Sequence, residues 1–200
     1  NKKSTYKKTN IPKNIRKVLQ ESENARLLQG IFSNKQLQEV MVDFWFNHFN
    51  IFAYKGNLTR LWVGTYERDA IRPYALGNFR NLLGATAHHP AMLFYLDNWL
   101  NTAPGSKGAR GRFKGLNENY ARELMELHSM GINGGYTQQD IITLARIFTG
   151  WGIQRRGGDG TGFKFNPNRH DNSDKIFLGV PIKGGGIEAV SYTHLRAHET

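Results

Sequence analysis

Gln36-Leu-Gln-Glu-Val-Met-Val-Asp-Phe-Trp-Phe-Asn-His-Phe49 is the stretch that sets the fold class. Its positions Leu37, Val40, Met41, Phe44 and His48 step by three and four, the period of a helix and not of a strand. Ser33, with Gln36 three residues later, predicts a capping box at the start. Trp45, Phe46 and Phe49 fill the other sides, so this helix is expected to be buried nearly all round.

The helical pattern recurs downstream. A helix is predicted over about residues 68–86, broken or kinked near Pro73, where a helix interior loses a donor. His89-Pro90 reads as N-cap and first residue of a short helix reaching residue 100. Gly105, Gly108, Gly111 and Gly115, set among Lys107, Arg110, Arg112 and Lys114, predict a mobile basic loop over residues 102–115. A helix over about residues 118–130 follows, closed by Gly131 and the turn Asn133-Gly134-Gly135. Thr137 with Asp140 is a second capping box, opening a helix whose stripe is Ile141, Leu144, Ala145 and Phe148. Past Trp151 the pattern dissolves into a glycine run. Phe163 and Phe165 then alternate as a strand would, with Ile176-Phe177-Leu178 as the expected partner. No internal repeat is present. The fold class is mainly α: an irregular helical domain with a small β-containing appendage near the C-terminus.

Composition narrows the function classes. A chain of 200 residues with 39% hydrophobic content, 12 Phe, 8 Tyr and 4 Trp can bury one domain's core and is not a disordered segment. No run of eighteen apolar residues occurs, which excludes a helical membrane span in the sequence. The absence of cysteine excludes disulfides, thiolate metal sites and a cysteine nucleophile, and says nothing of compartment. The net charge of +11 is concentrated at one end. Seven of the 27 basic residues precede the first acid, Glu21; the rest of the chain carries 20 against 16 acidic residues, a surplus of four. No aromatic-interleaved basic surface follows, so residues 1–13 read as a solvated basic arm and not as a nucleic-acid interface.

The other end reads differently. Val190-Ser-Tyr-Thr-His-Leu-Arg-Ala-His-Glu-Thr200 resembles the translation of a sequencing-library transposase adapter, so residues 190–200 are expected to be a non-biological tail. The His194 and His198 spacing therefore carries no metal-site reading. Residues 14–189 are expected to be a partial helical domain, truncated at both ends; Asn1, not Met, opens the chain.

Several blocks carry a family resemblance. They are Asn117-Glu-Asn-Tyr-Ala-Arg-Glu-Leu-Met-Glu-Leu-His128, Gly134-Gly-Tyr-Thr-Gln138 and Leu144-Ala-Arg-Ile-Phe-Thr-Gly-Trp151. Upstream stand Phe44-Trp-Phe-Asn-His-Phe49, Arg72-Pro73 and His89-Pro-Ala-Met-Leu-Phe-Tyr-Leu-Asp-Asn98; downstream, His170-Asp171 with Lys175 and Leu178-Gly179. In this order, over about residues 41–179, they resemble the bacterial family called domain of unknown function 1800. One departure is Phe46, where a smaller or polar residue is expected before Asn47. The resemblance implies a longer parent protein, often exported (periplasmic, outer envelope or extracellular). It also implies a partner of the family called domain of unknown function 1501, often encoded nearby. It implies no reaction and no cofactor.

Chemistry must therefore come from side chains. Asn119, Arg122, Glu123 and Glu126 fall at i, i+3, i+4 and i+7 of the predicted helix, hence on one face. Two carboxylates one turn apart in a pocket would split their pKa values into an acid and a base. The plainer reading is a solvated face, because Glu118 to Arg122 and Arg122 to Glu126 are both i,i+4 ion pairs. His128 falls roughly opposite, beside Leu124 and Ala121, as a core histidine; His48 reads the same way, and His88-His89 reads as a helix cap. The Glu-x-x-Glu-x-His spacing is not that of di-iron bundles, so no metal site is predicted. Gly158-x-Gly160-x-Gly162 is no dinucleotide fingerprint, and no Gly-x-Ser-x-Gly elbow occurs.

Two functions follow. One is a helical binding or assembly module of an exported system, with the polar helix face and the basic loop as contact surfaces. The other is acid–base hydrolysis of an envelope or polymeric substrate, with Glu123 or Glu126 as acid or base, His170 as complement and Arg122 and Asn119 as positioners. The resembling blocks add Asn117, His89, Asp97 and Asp171 as binding candidates.

Overall fold

The computed structural model describes residues 11–154 and 162–184. The first ten residues of the basic arm, the run containing Gly158 and Gly160, and the adapter-like tail all lie outside them.

Helix α1 (Lys13–Phe32) turns Ile15 and Leu19 inward, one turn apart, and lies chiefly on α3 (Asn57–Tyr66). The same stripe continues with Ser22 and Arg26. Ser22 fits because Gly64 has no Cβ: an added one would lie 2.4 Å from the serine Oγ. The Arg26 guanidinium covers the Phe46 ring at 4.1 Å and pairs with Asp43 and Glu67. Ser33 closes α1, its N–H donating to Gln29 O at 3.0 Å, and does not cap the next helix as the sequence pattern predicted. Gln36 instead begins α2 (Gln36–His48) while its side chain donates back to the Ser33 carbonyl.

The α2 face is corrected too. Val42, Phe46 and the following Phe49 are buried, whereas Leu37, Val40 and Phe44 are 68%, 62% and 54% exposed. The physical reason is area: the side carrying Phe46, Trp45 and Phe49 has the larger rings to remove from water, and it meets Tyr66 and Phe79. Trp45 also satisfies its indole N–H there, on Ala75 O at 3.0 Å.

Helix α3, which the pattern did not single out, starts where Thr59 Oγ1 accepts from Gly56 N. It runs on through a π turn (Glu67–Ile71) into a short 3-10 segment (Arg72–Tyr74). The break falls at Pro73 as predicted, but continuous helix lies before it and α4 (Phe79–His88) starts afresh, capped by Asn78. His89 caps α5 (Pro90–Tyr95) as predicted, its Nδ1 accepting from Ala91 N. That helix stops short of residue 100 because Asp97 takes a left-handed φ of 60°.

The glycine-rich loop is tied rather than free. Thr102 N donates to Gly115 O, Ala103 N to Arg169 O and Gly108 N to Asn168 O. Helix α6 (Asn119–Glu123) continues as a π turn (Leu124–Ser129), and Gly131, at φ 80°, returns its N–H to Met125 O. Helix α7 (Gln138–Ile147) carries the predicted capping box and buries Ile141, Leu144 and Ala145.

Two small antiparallel sheets follow among the described residues. Strand β1 (Trp151–Ile153) pairs with β2 (Phe163–Phe165), and β3 (Lys175–Phe177) with β4 (Val180–Ile182). Thus residues 176–178 are not the partner of 163–165. Leu178 and Gly179 both have positive φ, the two-residue turn that folds β3 back onto β4. The core gathers Tyr66, Ile71, Leu82, Met92, Tyr120, Leu144 and Trp151, each almost fully buried. Among the described residues no helix is long and apolar enough to cross a membrane.

Candidate functional site

The basic loop and the start of α6 enclose one cleft of about 520 Å³, lined by Arg112, Lys114, Asn117, Glu118, Asn119 and Arg122 together with backbone of the loop. Buried amides anchor the segment that carries Asn117. Asn101 Nδ2 donates to Ala145 O at 2.8 Å and to Asn98 Oδ1 at 3.1 Å, and its Oδ1 accepts from Asn117 N at 2.9 Å. Asn98 Nδ2 reaches the carbonyls of Phe148 and Trp151. Each amide thus replaces water for backbone groups that the helix ends leave open. Asn117 Nδ2 then donates to Asp97 O and Asn119 Nδ2 to Leu96 O, so the two candidate asparagines pin the α6 entrance to the end of α5.

On the rim, Arg122 holds Glu118 at 2.7 Å and Glu126 at 3.1 Å, and Gln138 bridges Glu118 and Arg122. The side chains of Arg122, Glu118 and Glu126 are 34%, 41% and 28% exposed, so this is a half-solvated network. The hydrogen bond from Arg122 holds the Glu118 carboxyl below its ordinary range, against desolvation and with the aid of Gln138. Glu123 is partly buried beside this line and joins no ion pair among the described residues.

His170 sits elsewhere, buried behind β2 with its ring against Phe165. Its Nδ1 lies 2.8 Å from Thr149 O, and burial lowers its pKa. No hydrogen bond or ion pair among the described residues joins it to Glu123 or Glu126. Asp171 accepts from Arg146 Nε at 2.7 Å and from Ser173. Burial works against its charge, yet these bonds and nearby Lys175 outweigh it and hold the carboxyl well below the usual range. Asp97 pairs with Lys55 at 2.9 Å. His89 packs edge-on to Tyr66, and desolvation lowers its pKa to about 4.

The structure therefore unites Asn117, Asn119 and Arg122 around one cleft, touches Asp97 only through its backbone carbonyl, and leaves His89, His170 and Asp171 in other packing environments. His128 is a buried core histidine, as its position opposite the glutamates implied, with His48 Nε2 on its carbonyl. Among the described residues no group of three His, Asp or Glu is placed to hold a metal ion. Sequence reasoning missed Asn98 and Asn101, whose polar type gave no sign of full burial, but it did offer the basic loop of Arg112 and Lys114 as a contact surface. One family model, described as "Protein of unknown function (DUF1800)", matches residues 2–195. No curated protein and no solved structure matches the chain.

Proposed function

The chain belongs to the DUF1800 family, and from that premise we propose that it is a helical binding or assembly module of an exported system, with the polar cleft as its contact surface. The observation that carries this reading is the charge balance of the cleft. Arg122 is shared between Glu118 and Glu126, whereas Arg112 and Lys114 meet no carboxylate among the described residues, so the cleft lining carries three cations against one acid. Arg112 lies over the Trp99 ring at 5.2 Å and the Phe113 ring at 5.6 Å, contacts that orient its guanidinium without neutralising it. An acidic segment of a partner protein complements this surface, and such complementarity governs encounter and register. A protein of the unknown-function 1501 family is the partner that the family resemblance brings forward.

The hydrolase alternative is supported less. An acid–base pair needs its two groups within reach of one another and free to exchange protons with substrate. Glu126 instead accepts from Arg122, and the Nδ1 of His170 is engaged by the Thr149 carbonyl.

The test is association. The chain, co-expressed with a 1501-family protein, should co-purify, and Arg112→Glu with Lys114→Glu should weaken that binding by about tenfold or more, because like charges then meet across the surface. Glu123→Gln and Glu126→Gln should leave it intact. Binding unchanged by the charge reversals, or hydrolysis of a polymeric substrate lost in Glu126→Gln, would overturn the reading.

A further inference from the structure

The opposite side of the basic loop carries a second, differently built pocket. It has a volume of about 440 Å³, within the range of small-molecule sites, and lies between the loop and the β1–β2 sheet. Its polar lining is Lys107, Arg110, Lys164, Asn166, Asn168 and Arg169, with no acidic residue among them.

Arg169 distinguishes this pocket from a patch of surface lysines. It is 8% exposed, on the 3-10 turn (Pro167–Arg169) that leaves β2. Its side chain threads between two glycines. A Cβ at Gly108 would lie 2.4 Å from Arg169 Cγ, and one at Gly152 would lie 2.8 Å from Nη2. Both glycines line the pocket, so the backbone has been cleared along the path of the arginine. Phe113 covers the guanidinium at 4.4 Å, and Nη1 donates to Trp99 O at 3.0 Å. Of the five N–H donors of a guanidinium, Nε is buried with no acceptor. Among the described residues no carboxylate pairs with it.

A buried cation without a counter-charge is unfavourable, and desolvation already lowers the pKa of Arg169. Three more cations stand around it, where a fold seeking only stability would set an acid. Planar, fixed guanidinium donors suit an oxyanion. The asparagine amides and the Phe113 ring offer hydrogen bonds and an apolar wall for whatever carries that anion.

We propose that this pocket binds a phosphate- or sulfate-bearing small molecule, its tetrahedral oxyanion seated against Arg169 between Lys107 and Lys164. The site is separate from the cleft on Arg112 and Lys114 and does not depend on it.

The probes are inorganic phosphate, inorganic sulfate and glucose 6-phosphate, titrated into the full chain by calorimetry and by thermal melting, with sodium chloride at matched ionic strength as control. Saturable binding, a rise in Tm with concentration, and mutual competition among the three are expected. Glucose 6-phosphate binding more tightly than phosphate assigns the site to an ester; equal affinities assign it to the free ion, and both support an oxyanion pocket. Arg169→Met should abolish binding. Because that change removes a packed side chain, Lys107→Met with Lys164→Met serves as the second variant. These two lysines are exposed, so the fold should be unaffected while affinity drops by about tenfold. A Tm rise matched by chloride, or an affinity undiminished in the double-lysine variant, would overturn the proposal whatever Arg169→Met does.

Discussion

Arg72 and Arg122 each hold two carboxylates, in settings with opposite consequences. Arg72 donates to both oxygens of Glu39 and to Glu67 at 2.8 to 2.9 Å, with side chains only 10% to 17% exposed. Removing the cation leaves Glu39 with no ion pair among the described residues and Glu67 with Arg26 alone, in a setting with little water. Arg72→Met should therefore cost about 3 kcal/mol in chemical denaturation, the usual range for breaking a buried pair. Arg122→Ala removes a solvated network and should leave the unfolding midpoint unchanged within error. An Arg122→Ala loss as large as that of Arg72→Met would show that the α6 carboxylates are a buried cluster after all. Histidines act at the same scale. Desolvation lowers His89 and His128 from 6.5 to about 4, with the His48 charge contributing to the latter. Protons then bind the unfolded chain first as pH falls. The stability from these neutral rings is complete above pH 6.5 and is lost progressively toward pH 4, at about 1.4 kcal/mol per pH unit for each. Denaturation at pH 7, 6 and 5 measures the slope, and His128→Leu should reduce it; an unchanged slope would mean that His128 does not titrate between those limits.

Element by element, local signals succeeded where a side chain answered its own backbone. Thr137 and Asp140 cap each other's N–H groups, so α7 begins where the pattern placed it. Asp140 does more: its Oδ1 accepts from Leu178 N at 3.1 Å and anchors the β3–β4 turn to α7. Thr137→Ala should cost about 1 kcal/mol, the ordinary value of a cap. Asp140→Ala should cost roughly twice that, since a second backbone donor is left unpaired. Thermal melts of the two variants decide the order, and equal losses would mean that the Leu178 contact contributes nothing. Signals failed where two elements competed for one residue. Ser33 stands between α1 and α2 and serves as the end of the first. The π turns after α3 and α6 were also invisible to a period-of-3.6 reading, because one inserted residue shifts every later side chain.

At the scale of the molecule, the outer side of the α1–α2 pair is apolar. Leu27, Leu28, Ile31 and Phe32 on α1 are exposed, as are Leu37, Val40 and Phe44 on α2, while polar Ser22 and charged Arg26 face inward. Scattered exposed leucines are ordinary, but rows of them on adjacent helices favour association. The chain should therefore associate with rising concentration and bind a hydrophobic dye. Leu28→Lys with Phe32→Ser should restore a monodisperse monomer by light scattering. A wild-type chain that is monomeric at high concentration and binds no dye would show that this face is tolerated bare.

The helical class, the break at Pro73, the caps at His89 and Thr137 and the buried stripe of α7 are written in local spacing, because each depends on backbone groups or side chains within one or two turns. So is the α6 ion-pair line, whose members are four residues apart. Which face of α2 turns inward was not legible, since apolar residues lie on both sides and only the position of Tyr66 and Phe79 selects one. The same holds for the strand pairing, which the buried Trp151 settles for β1 and β2. Asn101 lies 44 residues from the Ala145 carbonyl it satisfies, and Arg169 lies 70 from that of Trp99. Neither sharing of space leaves a periodic trace, because burial of a polar side chain depends on a partner that only the folded chain brings within reach.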